Sequence, residues 1–141
     1  MKKISAGLIL TDGEYFLGCH STGNWFYDLP KGGINKNERP IDACIRETKE
    51  ETNLDIEKEE LVDLGVFSYN PRKDLHLFAK FMCDLPSTEL MSCSTEFIHY
   101  YTKEKTPEVD GYKYIRFCEA GEFMTKNMQK VIIKAKEKTR H

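Results

Sequence analysis

The chain has 141 residues, of which 40% are hydrophobic, and its 21 basic and 23 acidic side chains give a net charge of −2. This length predicts one domain over residues 1–141 with a core of its own, while the balanced charge provides no overall attraction to nucleic acid or anionic lipid. The longest apolar run, residues 6–10, is far shorter than the roughly 18 residues of a membrane span, so we expect no membrane contact.

In chain order, the hydrophobic pattern predicts three strands, a helix, three further strands and a final helix. The strands are short apolar or alternating runs bounded by turn residues such as Asp12-Gly13 and Asn70-Pro71. The final helix, residues 126–138, carries an apolar side at helical spacing. The predicted strands cover residues 3–10, 15–19, 25–29, 61–69, 75–83 and 112–117.

The helix predicted from Pro40 to Thr52 has clear end signals. Pro40 suits the first turn, where its missing N–H is not needed, and Asn53 tolerates the left-handed conformation that often ends a helix. One side of the helix forms a stripe that we expect to be buried. The stripe consists of Ile41, Cys44, Ile45, Thr48 and Thr52.

Three glutamates of this helix, Glu47, Glu50 and Glu51, cluster on a face away from the buried stripe. Like charges this close destabilise a helix, so the cluster is either a solvated acidic face or a cation site. Mg²⁺ and Mn²⁺ take carboxylate, phosphate and water oxygens, and two such ions can clamp a pyrophosphate. Upstream, the Gly32 carbonyl can add an oxygen ligand.

The segment Gly32-x5-Glu38-x7-Arg46-Glu47-Thr48-x-Glu50-Glu51-x-Asn53-Leu54 resembles the Nudix box, G-x5-E-x7-R-E-U-x-E-E-x-G-U, where U is aliphatic. Its six fixed Gly, Glu and Arg positions up to the glutamate pair are all present. Thr48 replaces an aliphatic residue and Asn53 replaces the final glycine, but neither change removes a ligand. Residues 25–31 and 107–114 resemble flanking segments of the family. Residues 32–35 together with residues 107–114 are also similar to bacterial RNA 5′-pyrophosphohydrolases.

The resemblance implies a Nudix fold: an α/β/α sandwich with a mixed, curved sheet and a loop–helix–loop over residues 32–54. It implies that Arg46 orients Glu47, that Glu38 braces Arg46, and that Mg²⁺ or Mn²⁺ is the cofactor. Glu108 is the best candidate for a further carboxylate, as ligand or general base, with Glu96 as its rival. The implied metal ligands are Gly32, Glu47, Glu50, Glu51 and Glu108.

Nudix enzymes hydrolyse a nucleoside diphosphate linked to another moiety, which residues outside the box select. Lys31 is either a phosphate ligand or a solvated lysine beside a turn. Tyr69 and Pro71 occupy a region that the family associates with dinucleoside polyphosphates and ADP-ribose, but they also fit an ordinary turn. Aromatic residues that could stack a base, or pack in the sheet instead, are Trp25, Phe26, Tyr27, Tyr69, Tyr100 and Tyr101.

Three functions remain open from the sequence. The first is a metal-dependent pyrophosphohydrolase acting on small nucleotides such as dinucleoside polyphosphates or ADP-ribose. The second is an RNA 5′-pyrophosphohydrolase, to which the lysine-rich tail over residues 124–141 would attract a polyanion, unless that tail is only a solvated helix face. The third is a non-catalytic nucleotide-binding module. No feature indicates an oligomeric state.

The cysteines and histidines argue against a disulfide framework and against structural zinc. The five cysteines are widely spaced without a Cys-x-x-Cys pair, which is typical of free thiols in a reducing compartment. The four histidines show no metal-ligand spacing. We therefore expect a cytoplasmic protein.

Overall fold

The computed structural model describes residues 2–98 and 101–139, so the predicted base-stacking residue Tyr100 lies outside the described residues. Within these residues, nine strands and three α-helices follow one another along the chain. The strands are β1 (Lys3–Thr11), β2 (Tyr15–Ser21), β3 (Tyr27–Asp28), β4 (Lys31–Gly33), β5 (Val62–Asn70), β6 (Lys73–Phe81), β7 (Glu96–Ile98), β8 (Lys105–Pro107) and β9 (Val109–Arg116). The helices are α1 (Pro40–Thr52), α2 (Ala120–Phe123) and α3 (Lys126–Lys138).

Seven of these strands form one mixed sheet around β1. On one side, β1 pairs with β6 in parallel along its whole length. Its other side is shared by two antiparallel neighbours, because β4 pairs with residues 5–7 while β2 pairs at Thr11↔Phe16. Strands β7 and β8 form a separate hairpin. The sheet therefore divides between β2 and β4, and the cavity described below opens at this division.

The two faces of the sheet are covered by different helices. Along β1, side chains alternate between the faces: Leu8 and Leu10 belong to a core shared with Cys44 of α1, whereas Ile9 belongs to a core shared with Ile132 of α3. This arrangement confirms the predicted α/β/α sandwich with a mixed sheet. No helix in the described ranges is both long and apolar enough to cross a membrane.

Helix α1 has the predicted bounds, and its end signals act as expected. Pro40 lies in the first turn, and Asn53 has φ 66°, with its N–H donating to the carbonyl of Lys49 at 2.9 Å. The stripe is only partly as predicted, because Ile41 and Ile45 are half-buried at its margin.

The structure contains three short strands that were not predicted, β4, β7 and β8, and two of the predicted strands differ clearly in extent. The region 25–29 contributes only Tyr27–Asp28 to the sheet, because a turn closed by the Ser21 N–H and the Phe26 carbonyl holds Trp25 out, with 67% of its surface exposed. Strand β9 begins at Val109, three residues earlier than predicted. Gly111, which precedes the predicted strand, pairs with His20 of β2 beside a bulge and so belongs to the strand.

Candidate active site

The loop before α1 meets the helix at Gly32. Pairing of β4 with β1 fixes Gly32 opposite Ala6, and a Cβ atom added at Gly32 would overlap the Glu47 carboxylate. Neighbouring Gly33 faces open space. The first glycine of the pair is therefore required by the close approach of Glu47, whereas the second is not.

Arg46 ties this loop to the carboxylates of α1. Its guanidinium donates to both Glu38 oxygens at 2.9 and 3.0 Å and to the Gly33 carbonyl at 2.8 Å. On its other side it donates to Glu47 at 2.8 Å and approaches Glu50 at 3.4 Å. Hydrogen bonding from Arg46 holds the pKa of the Glu38 carboxyl below its usual range. The predicted Glu38–Arg46 ion pair is thus present, and the same guanidinium contacts Glu47.

Glu51 lies in the most unusual environment of the three helix glutamates. It is only 7% exposed although it lies away from the predicted buried stripe, so of the two alternatives left open by the sequence, a purely solvated acidic face does not describe Glu51. Burial, together with the adjacent Glu47 carboxylate, raises the pKa of Glu51 to about 9. The Lys31 ammonium partly opposes this shift.

The chemistry of these donors fits a hard divalent cation. Two carboxyls, Glu47 and Glu51, are pressed together with too little positive charge to balance them, and a cation would relieve that repulsion. Within the described part of the chain, no three His, Cys, Asp or Glu side chains enclose an ion by themselves. Gly32 and Glu50, the other predicted ligands in the box, flank this pair.

The last turn of α1 is held by main-chain and side-chain donors from elsewhere in the chain. The Tyr112 hydroxyl donates to the Glu51 carbonyl at 2.5 Å, and the Ser94 N–H donates to the Glu50 carbonyl at 2.7 Å. The Ser92 N–H donates to the Thr52 carbonyl at 3.2 Å. These contacts satisfy carbonyls that a helix end leaves open, and they fix the backbone that carries Glu50 and Glu51.

A cavity of about 390 Å³ lies beside Glu51, at the division of the sheet. Glu108 borders it from outside the box, and its carboxylate accepts a hydrogen bond from the Thr95 hydroxyl at 3.2 Å. Glu96 lies on exposed β7, opposite Pro107. The lining residues are Cys19, Ser21, Thr22, Asn24, Asp28, Leu29, Lys31, Glu51, Phe97, Glu108 and Val109.

Of the two predicted substrate-binding residues, Lys31 borders the cavity beside Glu51 and Tyr69 borders another cavity. Lys31 lines this cavity and pairs with Asp28 at 3.2 Å. Although burial alone would lower its pKa, the Asp28 carboxylate outweighs that effect and the pKa is raised, so Lys31 carries a positive charge toward the cavity. Tyr69 lines a different cavity together with Pro71, and its ring packs against the α3 core.

Of the lining residues, only Lys31, Glu51 and Glu108 were predicted from the sequence; those missed include Thr22, Asn24 and Phe97. The Thr22 hydroxyl is buried and has no hydrogen-bond partner among residues 2–98 and 101–139, which makes it available to a ligand. No local pattern indicated these residues, because a hairpin and a turn far apart in the chain bring them together.

Comparison with known proteins places this arrangement in a family. The model of the NUDIX domain matches residues 1–134. A 17.7 kDa protein from the e-segB intergenic region of Enterobacteria phage T4 is 40% identical over 88 residues, which cover 55% of this chain and 58% of the phage protein. The RNA pyrophosphohydrolase of Hahella chejuensis (strain KCTC 2396) is 30% identical over 123 residues, covering 80% of this chain and 74% of that protein.

A solved structure agrees in fold. The NUDIX domain of Shewanella oneidensis NrtR, complexed with ADP ribose, superposes with a TM-score of 0.70 over 99% of this chain and 90% of that chain, at 13% identity. At this identity the likeness concerns the fold, and it confirms the predicted Nudix fold. Because the family model matches nearly the whole chain, the protein belongs to the NUDIX domain family and is related to the Nudix hydrolases.

Proposed function

We propose that this protein is a metal-dependent pyrophosphohydrolase that cleaves the diphosphate linkage of a nucleoside diphosphate joined to another moiety, such as ADP-ribose or a dinucleoside polyphosphate. One observation carries the proposal: the buried Glu51, pressed against Glu47, lies on the wall of a cavity that also contains Lys31 and Glu108. The same wall thus offers carboxylates for a cation, an ammonium for a phosphate and a further carboxylate for a proton.

Glu47, Glu50, Glu51 and the Gly32 carbonyl are the proposed ligands of Mg²⁺ or Mn²⁺. The cation supplies charge neutralisation of the diphosphate and acidifies water when bound. Arg46 prevents Glu47 from rotating away, because it fixes both that carboxylate and the loop carrying Gly32.

The remaining groups act on the substrate and on water. Lys31 binds a phosphate oxygen from the cavity wall. Glu108 accepts a proton as a water oxygen bonds to phosphorus and the anhydride P–O bond breaks, releasing two phosphate-terminated products. Its backbone supports this role, since Glu108 donates its N–H to Thr95 and accepts from the Thr22 N–H, so the carboxylate is carried on a segment fixed from two sides.

A second candidate is the removal of pyrophosphate from a triphosphorylated RNA 5′ end. It is favoured by the relative from Hahella chejuensis and by the lysines of α3. A non-catalytic nucleotide-binding module is less well supported, because such a module has no use for repelling carboxylates held in place by Arg46.

The test is a substrate panel. Phosphate or nucleotide release from ADP-ribose, a dinucleoside tetraphosphate and a 5′-triphosphorylated RNA is measured with Mg²⁺, with Mn²⁺ and with excess chelator. We expect cation-dependent hydrolysis of at least one probe. Release that is undiminished in excess chelator, or no release from any probe with either cation, contradicts the proposal.

A further inference from the structure

A second cavity, of about 390 Å³, lies between the β5–β6 turn and helix α3. Its basic residues are Lys130 and Lys134, which lie one turn apart on α3 and are exposed. Neither ammonium has a carboxylate partner within the described residues. The cavity therefore presents two uncompensated charges beside an aromatic ring and two amides. Its lining consists of Ser68, Tyr69, Asn70, Pro71, Asn127, Lys130, Val131 and Lys134.

Lys73 lies between this cavity and the proposed catalytic cavity, which is the one that Glu51, Lys31 and Glu108 line. It pairs with Asn70 across the β5–β6 turn, so it adjoins the lining of the second cavity. Because side chains alternate along a strand, Lys73 faces the same side of the sheet as the buried Leu75, which is the side that α3 covers. Lys73 has no ion-pair partner in the part of the chain that the structure describes.

Lys31 approaches the same place from the catalytic cavity. It pairs with Gly7 of β1, and a Cβ atom on Gly7 would lie 2.9 Å from the Cβ of Lys31, so both project to the α3 side of the sheet. Repulsion by Lys31 is the largest influence on the pKa of Lys73, which it lowers. Tyr69 also lies close enough to affect the pKa of Lys31.

We define the basic track as Lys31 of the first cavity, Lys73, and Tyr69, Lys130 and Lys134 of the second cavity. We propose that the basic track binds the first nucleotides of a single-stranded RNA whose 5′ triphosphate occupies the catalytic cavity. This inference rests on the proposed pyrophosphohydrolase activity, in the form of its second candidate, the RNA 5′-pyrophosphohydrolase. Lysines that follow the backbone and an aromatic side chain for base stacking are the combination that binds single strands. ADP-ribose, in contrast, carries no phosphate beyond its diphosphate to reach Lys130 or Lys134.

The test compares three probes: ADP-ribose, a 5′-triphosphorylated dinucleotide and a 5′-triphosphorylated octanucleotide. We expect wild-type kcat/KM to be higher for the octanucleotide than for the dinucleotide. The double variant Lys130→Ala/Lys134→Ala should lose this advantage and leave ADP-ribose hydrolysis unchanged. Each phosphate contact contributes about −0.7 to the slope of log kcat/KM against log salt, so the slope for the octanucleotide should become less negative by about 1.4.

Two further variants control for charge. Lys130→Arg/Lys134→Arg keeps both positive charges and should keep the preference for the octanucleotide. Lys58→Ala/Lys113→Ala removes two lysines that lie outside this cavity and should behave as wild type. Thermal unfolding midpoints verify that every variant is folded.

The outcomes separate the inference from the function on which it rests. Equal wild-type kcat/KM for the two RNAs, or an unchanged salt slope in Lys130→Ala/Lys134→Ala, overturns the basic track while hydrolysis of ADP-ribose still supports the proposed function. An equal loss on ADP-ribose and on the octanucleotide also overturns it, since the lysines would then act on the catalytic cavity as a whole. Failure of the wild type to cleave any probe with Mg²⁺ overturns the proposed function itself.

Discussion

The Tyr112 hydroxyl donates a 2.5 Å hydrogen bond to the main-chain carbonyl of Glu51, a residue 61 positions earlier in the chain. Through this bond, strand β9 holds the last turn of helix α1, whose residue Glu51 borders the proposed catalytic cavity. The bond satisfies a carbonyl that the helix leaves open, and it sets where the Glu51 side chain can lie. Tyr112 is therefore a positioning residue.

Replacing Tyr112 by Phe keeps the ring and removes only the donor. We expect a loss of about 1 kcal/mol in the free energy of unfolding and a higher Mg²⁺ concentration for half-maximal activity. The matched control is Tyr114→Phe, which removes a similar 2.6 Å bond to the Pro86 carbonyl and should lower stability alone. Urea unfolding and cation titration of activity measure the two effects. Equal cation dependence of both variants would contradict a positioning role for Tyr112.

Substitution of Gly32 by Ala should impair activity without unfolding the protein. The new Cβ would overlap the Glu47 carboxylate, which can move because it ends a flexible side chain, so the fold is retained while the carboxylate is displaced. A displacement of about 1 Å at a catalytic group can cost roughly a hundredfold in rate. Gly33→Ala is the control, since open space surrounds that position. Steady-state kinetics compare the activity of the two variants, and thermal unfolding verifies that both are folded.

Local signals in the sequence predicted α1 closely, and long-range contacts account for what they missed. Pro40 and Asn53 mark the ends of the helix through their own backbone preferences, and the spacing of the box brought Arg46 to Glu38. The burial of Glu51 did not follow from helical periodicity, because its surroundings include residues far away in the chain, such as Tyr112, which donates to its carbonyl, and Lys31, which lines the same cavity. Thr22 likewise could not be predicted from the sequence, because it lines a cavity that is formed by segments far apart in the chain.

Glu51→Gln should abolish most activity while preserving the fold. The change keeps size and hydrogen bonding but removes the charge that we propose holds the cation, so the rate should fall at least roughly a hundredfold. Without a cation, stability near neutral pH should change little, because the raised pKa keeps Glu51 protonated there and the amide replaces a neutral carboxyl of the same size. Glu59→Gln, an exposed position, controls for loss of one charge. Full activity of Glu51→Gln, or a wild-type rate that survives excess chelator, would refute the metal assignment.

The last prediction concerns the carboxylate outside the box. Glu108 borders the cavity that contains Glu51, whereas Glu96 lies on the exposed hairpin strand opposite Pro107. If Glu108 takes the proton of the attacking water, Glu108→Gln should lower kcat by roughly a hundredfold or more and change KM little, because the interaction matters most in the transition state. Glu96→Gln should retain its activity, since this carboxylate does not border the cavity. The opposite pattern, an active Glu108→Gln beside an inactive Glu96→Gln, would transfer the role to Glu96.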